Sequence, residues 1–467
     1  MARPSLLAAL ASLAALLGCP TAETTLADVQ IAENPANVLS CFVRWTTDEP
    51  ASSRVEFGED GFQFFVGDDI LVTEHEVFVF GMHAEGAYDL RALSTTADGQ
   101  TLVSEPQTFG TGTLPFPVAT TGVTDLDPAR LQPGWTLTNF AINLTVSRVV
   151  AVMLDQDARV VWYYDLGDEE GRADVEVSLL GDGDLAQRHV LIGGAVPPLG
   201  HPVEVDLAGN VLWEGPEQAE GVVLAGEGMH HTFQQLPGGD FVTLYFDFAD
   251  GHILDRIEQI DRDLQLTWSW STADHEDVLG EDYVGGNYVI VDEDDGVAYF
   301  NGRIVHRLFK IDRATGDVIW TLGDGGDFEP IPDEPETWFL GTHAPSLLPD
   351  GHLLIYDNGA PGERDYSRVV EYELDEANMT AELVWEYPGQ LADDEWFNNV
   401  WGDVDRLANG NTLITAGSML GNDSQSRIFE VTPEGDKVWQ VLLSGETEGE
   451  LGGSYMSQRI PVLVGEL

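Results

Sequence analysis

The sequence predicts an all-β protein, a six-bladed β-propeller preceded by a small β-sandwich domain. The main observation is a repeat of six copies, each with an apolar strand residue, a short polar turn and a β-run that ends in tryptophan. The six residues are Trp162, Trp213, Trp268, Trp320, Trp385 and Trp439, at steps of 51, 55, 52, 65 and 54 residues. This period suits one four-stranded propeller blade and is too long for helical solenoids.

Composition agrees with that fold class. The 467 residues include 50 Gly and 23 Pro, which is typical of a turn-rich all-β chain, and 43 % are hydrophobic, enough for large cores. The charge is extreme, with 81 acidic against 21 basic residues for a net charge of −60. Nucleic acid and anionic membrane surfaces are therefore excluded as partners. The acids are spread over turns and strand faces, so we expect a solvated acidic surface.

Residues 1–19 predict a processing signal. Arg3 precedes an apolar run of Leu and Ala that ends at Gly18-Cys19. A small residue followed by Cys resembles a bacterial lipobox, so we expect export and a lipid on Cys19, with residues 20–27 as a tether. The alternative is an ordinary cleaved signal peptide in which Cys19 is incidental. The second cysteine, Cys41, lies in a strand-like run and is expected as a lone core thiol rather than part of a disulfide framework.

Short alternating strands separated by turn signals predict an antiparallel sandwich over residues 28–113. The strings WTTDEPASSRVEFG, YDLRALS and FGTGTLP resemble a fibronectin type III-like module, which implies a spacer or a docking arm. Two prolines mark a linker over residues 114–124, and the propeller is expected over residues 125–467.

A second repeat predicts a column of residues at one end of the propeller channel. In three blades a residue stands 8 positions before a turn glycine. The pairs are His231 and Gly239, His343 and Gly351, and Gly402 and Gly410. In the blade between the two histidines, Asn287 or Tyr288 falls in the same column. Since an axial channel collects residues from every blade, this column is where we expect a site.

Histidines in such a column can act as nucleophile, as general acid or base, or as donor to an anion. We therefore select His230, His231 and His343. Arg368 follows a serine in a Ser-Arg-x-x-Glu pattern that Arg427 repeats, and a planar guanidinium fits a sulfuryl or phosphoryl group. The alternative is structural, because histidines in strands are often core hydrogen-bonding residues and each arginine can pair with the glutamate three residues on.

Metal and cofactor patterns are weak. The run 292–296 is acidic, but it lacks oxygen ligands at EF-hand spacing, so an acidic hairpin turn is the preferred interpretation over a Ca²⁺ site. No GxSxG, HExxH or CxxC string occurs, and no residues are spaced as zinc ligands. We expect neither a metal nor an organic cofactor.

Several stretches resemble the bacterial arylsulfotransferase family, in the same order and over roughly residues 125–467. They are GMHHTFQQLPGGDFV, FKIDRATGDVIWTLG, THAPSLLPDGHLLIYDNG, SRVVEYELD, DVDRLANGNTLITAGS and the tail Tyr455-Met456-Ser457-Gln458-Arg459-Ile460-Pro461. The resemblance implies a six-bladed propeller with an N-terminal β-sandwich, secretion to the periplasm, and dimers in many members. It also implies transfer of a sulfuryl group from a phenol ester to another phenol, by a ping-pong mechanism through a sulfated histidine and without an adenylated sulfate donor.

The resemblance also implies roles for individual residues. His343 and His231 match sulfate-contacting histidines, and Arg368 matches a sulfate-binding arginine. Two departures stand out: the family often has a histidine near residues 285–287, and its sulfated histidine is expected near residues 401–403. This sequence has no histidine at either place and none after His352.

We therefore expect His343 or His231 to serve as nucleophile or general base, with Arg368 on the sulfuryl oxygens. Substrate-binding residues are expected to be His230, Asn287, Tyr288 and Trp401, the last two by stacking on an aryl ring. The expected partners are a small aryl sulfate donor and a phenolic acceptor, with membrane contact only through the lipid anchor. The alternative is a non-catalytic propeller that binds an extracellular ligand or scaffolds envelope proteins, which the missing late histidine favours.

Overall fold

The structure is a computed structural model that describes residues 24–117, 120–142, 148–167, 174–181, 187–195, 201–216, 228–249, 252–275, 284–334, 336–391, 394–417, 426–443 and 452–467. Over these residues the chain forms β-strands and one short 3-10 helix, Thr272–Asp274. No helix within the described ranges has the length and apolar character needed to cross a membrane. Cys19 and the signal segment lie outside the described residues.

The N-terminal domain is a seven-stranded sheet. Its strands are β1 (Leu26–Glu33), β2 (Cys41–Gly58), β3 (Phe64–Val79), β4 (Ala87–Thr95), β5 (Thr101–Val103), β6 (Gln107–Gly110) and, from the far end of the chain, β36 (Gly465–Glu466). Burial alternates along β4 because successive side chains point to opposite faces of a strand.

The long strand β2 is irregular near its middle. Its ladder with β3 shifts register between Thr46 and Ser53, and the two halves of β2 pair with β1 and β4 respectively. One apolar cluster collects Trp45 and Phe57 from the two halves, together with Cys41. Cys41 is a fully buried free thiol, and burial raises its pKa to about 12. The likeness to a fibronectin type III module stays a prediction.

Six further sheets form the blades of a propeller, as predicted. Blade 1 contains β8 (Trp135–Ile142), β9 (Arg148–Leu154) and β10 (Val160–Asp165), with β34 (Gly452–Gly453) and β35 (Ser457–Ile460). Blade 2 contains β11 (Asp174–Leu180), β12 (His189–Ala195), β13 (Val203–Asp206) and β14 (Val211–Glu214). Blade 3 contains β15 (Met229–Gln235), β16 (Phe241–Ala249), β17 (His252–Ile260) and β18 (Leu266–Ser271).

The remaining blades carry additional strands. Blade 4 contains β19 (Gly286–Asp292), β20 (Val297–Gly302), β21 (Arg307–Asp312) and β22 (Val318–Leu322). Blade 5 contains β24 (His343–Leu347), β25 (Leu353–Asp357), β26 (Arg368–Asp375) and β27 (Thr380–Tyr387), with β23 (Glu329–Ile331) parallel to β27. A small hairpin follows, β28 (Gln390–Leu391) with β29 (Asp394–Glu395). Blade 6 contains β30 (Asp403–Arg406), β31 (Thr412–Ala416), β32 (Ser426–Val431) and β33 (Lys437–Leu443), with β7 (Thr120–Leu126).

Two strand exchanges close the ring at the junction between blades 6 and 1, which we call the seam. β35, near the C-terminus, pairs with β8 and supplies the innermost strand of blade 1. β7, which precedes blade 1 in sequence, pairs with β33 at the outer edge of blade 6. Residues 120–124, placed in the linker by the sequence analysis, are therefore part of a blade strand.

The six repeat tryptophans lie on the fourth strand of six consecutive blades. Five of their indole N–H groups donate to a carbonyl in the next blade, at 2.7 to 3.0 Å. The pairs are Trp162 with Leu207, Trp213 with Arg262, Trp268 with Arg313, Trp385 with Pro433, and Trp439 with Gln156. Trp320, where blade 5 adds β23, instead packs edge-on against Phe328 at 5.2 Å, and its N–H has no partner among the described residues. Trp162, Trp320 and Trp439 are fully buried, and the other three are half-buried.

The N-terminal domain packs against blades 1 and 2. Phe80 meets Trp135 edge-on at 6.0 Å, and both belong to one apolar cluster that spans the domain and these blades. Asn37 Nδ2 donates to the Tyr163 carbonyl at 2.9 Å. The propeller and its N-terminal domain therefore pack against each other through a common apolar core and are not connected by a linker alone.

Candidate active site at the propeller axis

The innermost strands of the six blades line the axis, since β35, β11, β15, β19, β24 and β30 contact one another in a closed cycle. Four aromatic side chains meet there, which we call the axial cluster: His231, His343, Trp401 and Tyr455. Ring centroids lie 6.4 Å apart for His231 and His343, and 6.3 and 6.1 Å from Tyr455 to those two rings. Trp401 stands edge-on to Tyr455 at 5.8 Å. The cluster thus joins blades 3, 5 and 6 with the segment that enters β35.

Two members of the cluster lie in irregular backbone, outside regular strand pairing. His231 has φ 56° and Trp401 has φ 63°, in the left-handed region that few residues other than glycine adopt. The ladder of β15 also shifts register between His230 and Phe233. Such strained positions concentrate at functional sites, where the surrounding packing holds them.

His343 is held by hydrogen bonds on both ring nitrogens. Its Nδ1 lies 2.7 Å from Asn358 Oδ1, and its Nε2 accepts from the Trp401 backbone N–H at 3.3 Å. Asn358 Nδ2 donates to the carbonyls of Asn398 and Trp401, both at 2.7 Å, which fixes the amide orientation. His343 therefore carries its proton on Nδ1.

Within the described ranges, His231 forms a hydrogen bond through one ring nitrogen only. Its Nδ1 lies 2.9 Å from His230 Nδ1, which leaves Nε2 on the opposite edge of the ring. His231 is half-buried, whereas His230 and His343 are fully buried. His230 Nε2 also has no hydrogen-bond partner among the described residues, but His230 is fully buried, so His231 is the histidine that combines an unengaged ring nitrogen with exposure.

Burial and one nearby cation lower the pKa of these histidines. Burial, with the charge of Arg303 second, lowers the pKa of His231 to about 4 and that of His343 well below its ordinary value. For His230, burial and then the charge of His231 lower the pKa well below the ordinary value. All three imidazoles are therefore neutral at pH 7, as a nucleophile or general base requires.

Arg303 is the cation beside the axial cluster. It follows β20 in blade 4, is half-buried, and donates from Nη2 to the Asn399 carbonyl. Its charge acts on His231, His343 and Tyr455. Arg303 was not predictable from the blade repeat, because it occupies a hairpin turn with no repeated counterpart in the other blades.

Acidic side chains also approach the axis. Glu176 accepts from the Phe233 backbone N–H at 2.5 Å and from Gln234 Nε2 at 2.7 Å. Asp403 accepts from the Ser457 N–H at 3.1 Å, and Asp405 interacts with it.

Burial raises the pKa of each of these carboxyl groups. The pKa of Glu176 rises to about 7 and that of Asp405 to about 6. The pKa of Asp403 rises well above its ordinary value, through burial and then the charge of Asp405. Protonation near neutral pH reduces the negative charge at the axis, which lets an anion approach.

The Arylsulfotransferase (ASST) family model matches residues 134–452, more than half of the chain. The chain belongs to the arylsulfotransferase family. Comparison with curated proteins gives no match. Among solved structures, the Pseudomonas aeruginosa periplasmic gluconolactonase is similar at 16 % identity and TM-score 0.37, covering 88 % of this chain and 99 % of that chain. A luciferin-regenerating enzyme is similar at 11 % identity and TM-score 0.37, covering 74 % and 99 %.

In this arylsulfotransferase-family chain, Arg368 does not lie with the histidines at the axis, contrary to the sequence prediction. Arg368 is buried on the third strand of blade 5, where Nε donates to Asp357 Oδ2 at 2.8 Å and Nη1 to Glu386 Oε1 at 3.2 Å. Nη2 donates to the carbonyls of Glu336 and Trp338. The reason is electrostatic, because the buried Asp357 carboxylate needs a cation. Arg427, in the matching place, lies over the Trp396 ring at 5.5 Å.

Strand pairing also corrects the column obtained by counting residues. His230, not His231, lies opposite the residue that corresponds to the partner of His343, because the bulge in β15 adds residues. In blade 6 the equivalent position, opposite Thr415, holds Asp403. The position in blade 6 that corresponds to His230 and His343 therefore holds a buried carboxyl group, next to Gly402.

The structure places some of the other predicted binding residues at the axis and one of them within the blade packing. Asn287 is buried and bonded within its blade and the next, through Asn301 and the Thr342 carbonyl. Tyr288 is half-buried, and its hydroxyl accepts from Gln234 Nε2 at 2.6 Å. Trp401 belongs to the axial cluster. Asn287 is thus a structural residue here, whereas Tyr288 and Trp401 lie at the axis.

Tyr455, which the sequence indicated only through the family resemblance, contacts the other three members of the cluster. Its hydroxyl is buried and has no hydrogen-bond partner among the described residues. The acidic run 292–296 forms a hairpin turn in which Asp292 Oδ1 accepts from the two N–H groups of Asp294 and Asp295 at 3.0 Å.

Proposed function

We propose that this protein transfers a sulfuryl group from an aryl sulfate to a phenol through a covalent intermediate on His231. The observation that carries the proposal is the unengaged Nε2 of a neutral His231 in a cluster with Tyr455 and Arg303. Family membership supports the reaction class. The absence of a histidine after His352 requires another nucleophile, and His231 fits that role best.

The choice between the two histidines rests on hydrogen bonds. His343 Nε2 already accepts from the Trp401 N–H, and its Nδ1 is bonded to Asn358. A lone pair that accepts a hydrogen bond is less available for attack, so we assign His343 to hold the cluster in place.

Arg303 and Tyr455 supply stabilisation of negative charge. The guanidinium of Arg303 compensates the charge of the sulfuryl oxygens, and in a buried site its effect is stronger than in water. The unpartnered hydroxyl of Tyr455 is available to donate to one of those oxygens. Trp401 and Tyr288 offer aromatic faces for the aryl ring.

The transfer has two half-reactions. His231 Nε2 forms a bond to sulfur while the bond from sulfur to the aryl oxygen breaks, and the released phenolate takes a proton from water. The acceptor phenol then loses its proton to water as its oxygen attacks sulfur, and the N–S bond breaks with its electrons returning to Nε2.

A second candidate is a propeller that binds a sulfated ligand without catalysis. The buried Asp403 at the position aligned with His343 favours it, because the family's usual nucleophile is then missing.

An assay with p-nitrophenyl sulfate and phenol tests the proposal. We expect p-nitrophenol release that increases with phenol concentration and saturates, and that falls to background in His231→Ala. Arg303→Met should lower kcat by about 10²- to 10³-fold, the effect of removing one stabilising donor from such a site. His275→Ala, in the same blade but outside the cluster, is the matched control and should retain activity. Release that is unchanged in His231→Ala would refute the assignment, and binding without release would favour the second candidate.

We also propose that the protein is exported and held in the cell envelope by a lipid on Cys19. The supporting feature is the signal-like segment before Cys19. Cys19→Ser should move the protein from the membrane to the soluble fraction, since a lipid chain is the anchor. Wild-type protein that is unmodified and fully soluble in a Gram-negative host would contradict this.

A further inference from the structure

We propose that Asp255 and His230 form a relay behind His231 that fixes its proton on Nδ1 and thereby exposes a lone pair on Nε2. In this role Asp255 and His230 are positioning residues, since neither reaches the channel. The consequence for catalysis rests on the proposed function, but the relay itself is a statement about protonation.

The geometry consists of two contacts, a hydrogen bond between the two histidines and an ion-pair distance to Asp255. His230 Nε2 lies 3.5 Å from Asp255 Oδ1, and His230 Nδ1 lies 2.9 Å from His231 Nδ1. Asp255 and His230 are both fully buried. Neither of the two facing atoms, His230 Nε2 and Asp255 Oδ1, forms a hydrogen bond with a described residue, so their 3.5 Å contact is an ion-pair distance. Because an unsatisfied buried donor and acceptor are costly, we expect the two atoms to move to hydrogen-bond distance and share a proton.

Both relay residues are held in place. The His230 ring stacks on Phe246 at 4.0 Å, and Asp255 Oδ2 accepts from the Gly286 N–H at 2.9 Å. The Asp255 backbone is also bonded in both directions to Thr272 Oγ1. A Cβ at Gly286 would meet the Asp255 carboxyl carbon at 3.0 Å, so glycine is what lets blade 4 approach it.

The protonation state of Asp255 then sets the tautomers of His230 and His231. With Asp255 ionised, the relay places a proton on His230 Nε2 facing the carboxylate, and His230 Nδ1 is then an acceptor. Two Nδ1 atoms at 2.9 Å need one proton between them, and that proton must then belong to His231. His231 Nε2 is left as a lone pair on the channel side.

A protonated Asp255 reverses the chain. The carboxylic acid would donate to His230 Nε2, His230 Nδ1 would donate to His231 Nδ1, and His231 Nε2 would carry the proton. Burial raises the pKa of Asp255 to about 7, with the N–H groups of Gly286 and Gly285 opposing the shift. Both states are therefore accessible near neutral pH, and one of them masks the lone pair.

During transfer the relay removes the charge that sulfation would place on the ring. As Nε2 bonds to sulfur, the His231 Nδ1 proton passes to His230 Nδ1 and the His230 Nε2 proton passes to the Asp255 carboxylate. When the N–S bond breaks, both protons return. No proton is gained or lost by the three residues over a full cycle.

The first test reads protonation directly and does not require activity. Protein labelled with ¹⁵N-histidine should show, by NMR at pH 8, His231 protonated on Nδ1 and His230 protonated on Nε2, with the signals assigned by His231→Gln and His230→Gln. Asp255→Asn, whose amide can donate to His230 Nε2, should move the His231 proton to Nε2. Wild-type His231 protonated on Nε2 would overturn the relay whether or not the protein transfers sulfate.

The second test uses turnover. Asp255→Asn should lower kcat by about 10³- to 10⁴-fold with KM within about threefold, the size of effect produced by a wrong imidazole tautomer. Asp240→Asn, in the same blade outside the site, is the matched control and should keep both constants. Folded Asp255→Asn with kcat within about tenfold of wild type would overturn the relay. If wild type shows no turnover while the NMR result holds, the proposed function fails and the relay stands.

Discussion

At the scale of the residue, hydrogen bonds rather than residue types separate the histidines. His343 and His231 are both neutral and both at the axis, but His343 uses both ring nitrogens whereas His231 uses one. Buried side chains with a satisfied hydrogen-bond set are costly to rearrange, so they serve better as supports than as reactive groups.

The relay predicts a rising pH profile. Below its pKa of about 7, Asp255 is protonated and His231 Nε2 carries a proton, so kcat/KM should fall as pH falls through about 7. Among the described residues, the titratable group facing Asp255 is His230, whose pKa lies well below its ordinary value and which stays neutral over this range. Glu176 also has a pKa of about 7, so Glu176→Gln is the control. That variant should keep the rising limb, and loss of the limb in it would assign the titration to Glu176 instead.

The residue types at the site were predictable from sequence, but their contacts were not. Counting back from turn glycines selected His231 and His343, although the bulge in β15 places His230 rather than His231 at the position equivalent to His343. The aspartate behind His230 does not follow, because Asp255 comes from β17, the third strand of the blade, and reaches the inner strand only through tertiary packing. The sequence also misplaced Arg368, because its repeated Ser-Arg position reflects a structural ion pair with Asp357.

At the scale of the element, the tryptophan repeat acts as a link between blades. An indole on the fourth strand of one blade donates to a turn carbonyl of the next, which satisfies a backbone group that the turn itself leaves unpaired. The repeat was visible in the sequence because each blade needs the same contact. Bulges such as the one in β15 were not visible, because one or two extra residues in a strand leave no compositional trace.

Two matched substitutions test this link. Trp439→Phe removes the bond to the Gln156 carbonyl, whereas Trp320→Phe removes an N–H that has no partner among the described residues. Both indoles are fully buried, so the loss of packing is similar. Trp439→Phe should therefore lower the free energy of unfolding by about 1–2 kcal/mol more than Trp320→Phe. Equal losses in denaturant titrations would show that the hydrogen bond contributes nothing.

At the scale of the whole molecule, the ring is closed at one seam by segments from both ends of the propeller. The C-terminal segment carries Tyr455 into the axial cluster and supplies β35 to blade 1. Fold closure and site assembly therefore depend on the same residues.

Truncation separates these contributions. Removal of residues 455–467 should abolish cooperative unfolding, because blade 1 loses its inner strand and the axis loses Tyr455. Removal of residues 465–467 takes away β36, its pairing with β3 and the bond from the Leu467 N–H to the Gln63 carbonyl, so the melting temperature should fall slightly and activity should persist. A cooperative melt for the longer truncation would show that β7 alone closes the ring.

The covalent intermediate on His231 is the most direct measurement of the central claim. Incubation with p-nitrophenyl sulfate without an acceptor should add one sulfuryl group, about 80 Da, and release one equivalent of p-nitrophenol, as a double-displacement mechanism requires. Peptide mapping by mass spectrometry should place the adduct on His231, and added phenol should remove it. An adduct on another residue, or no adduct while the sulfate ester binds, would contradict the account.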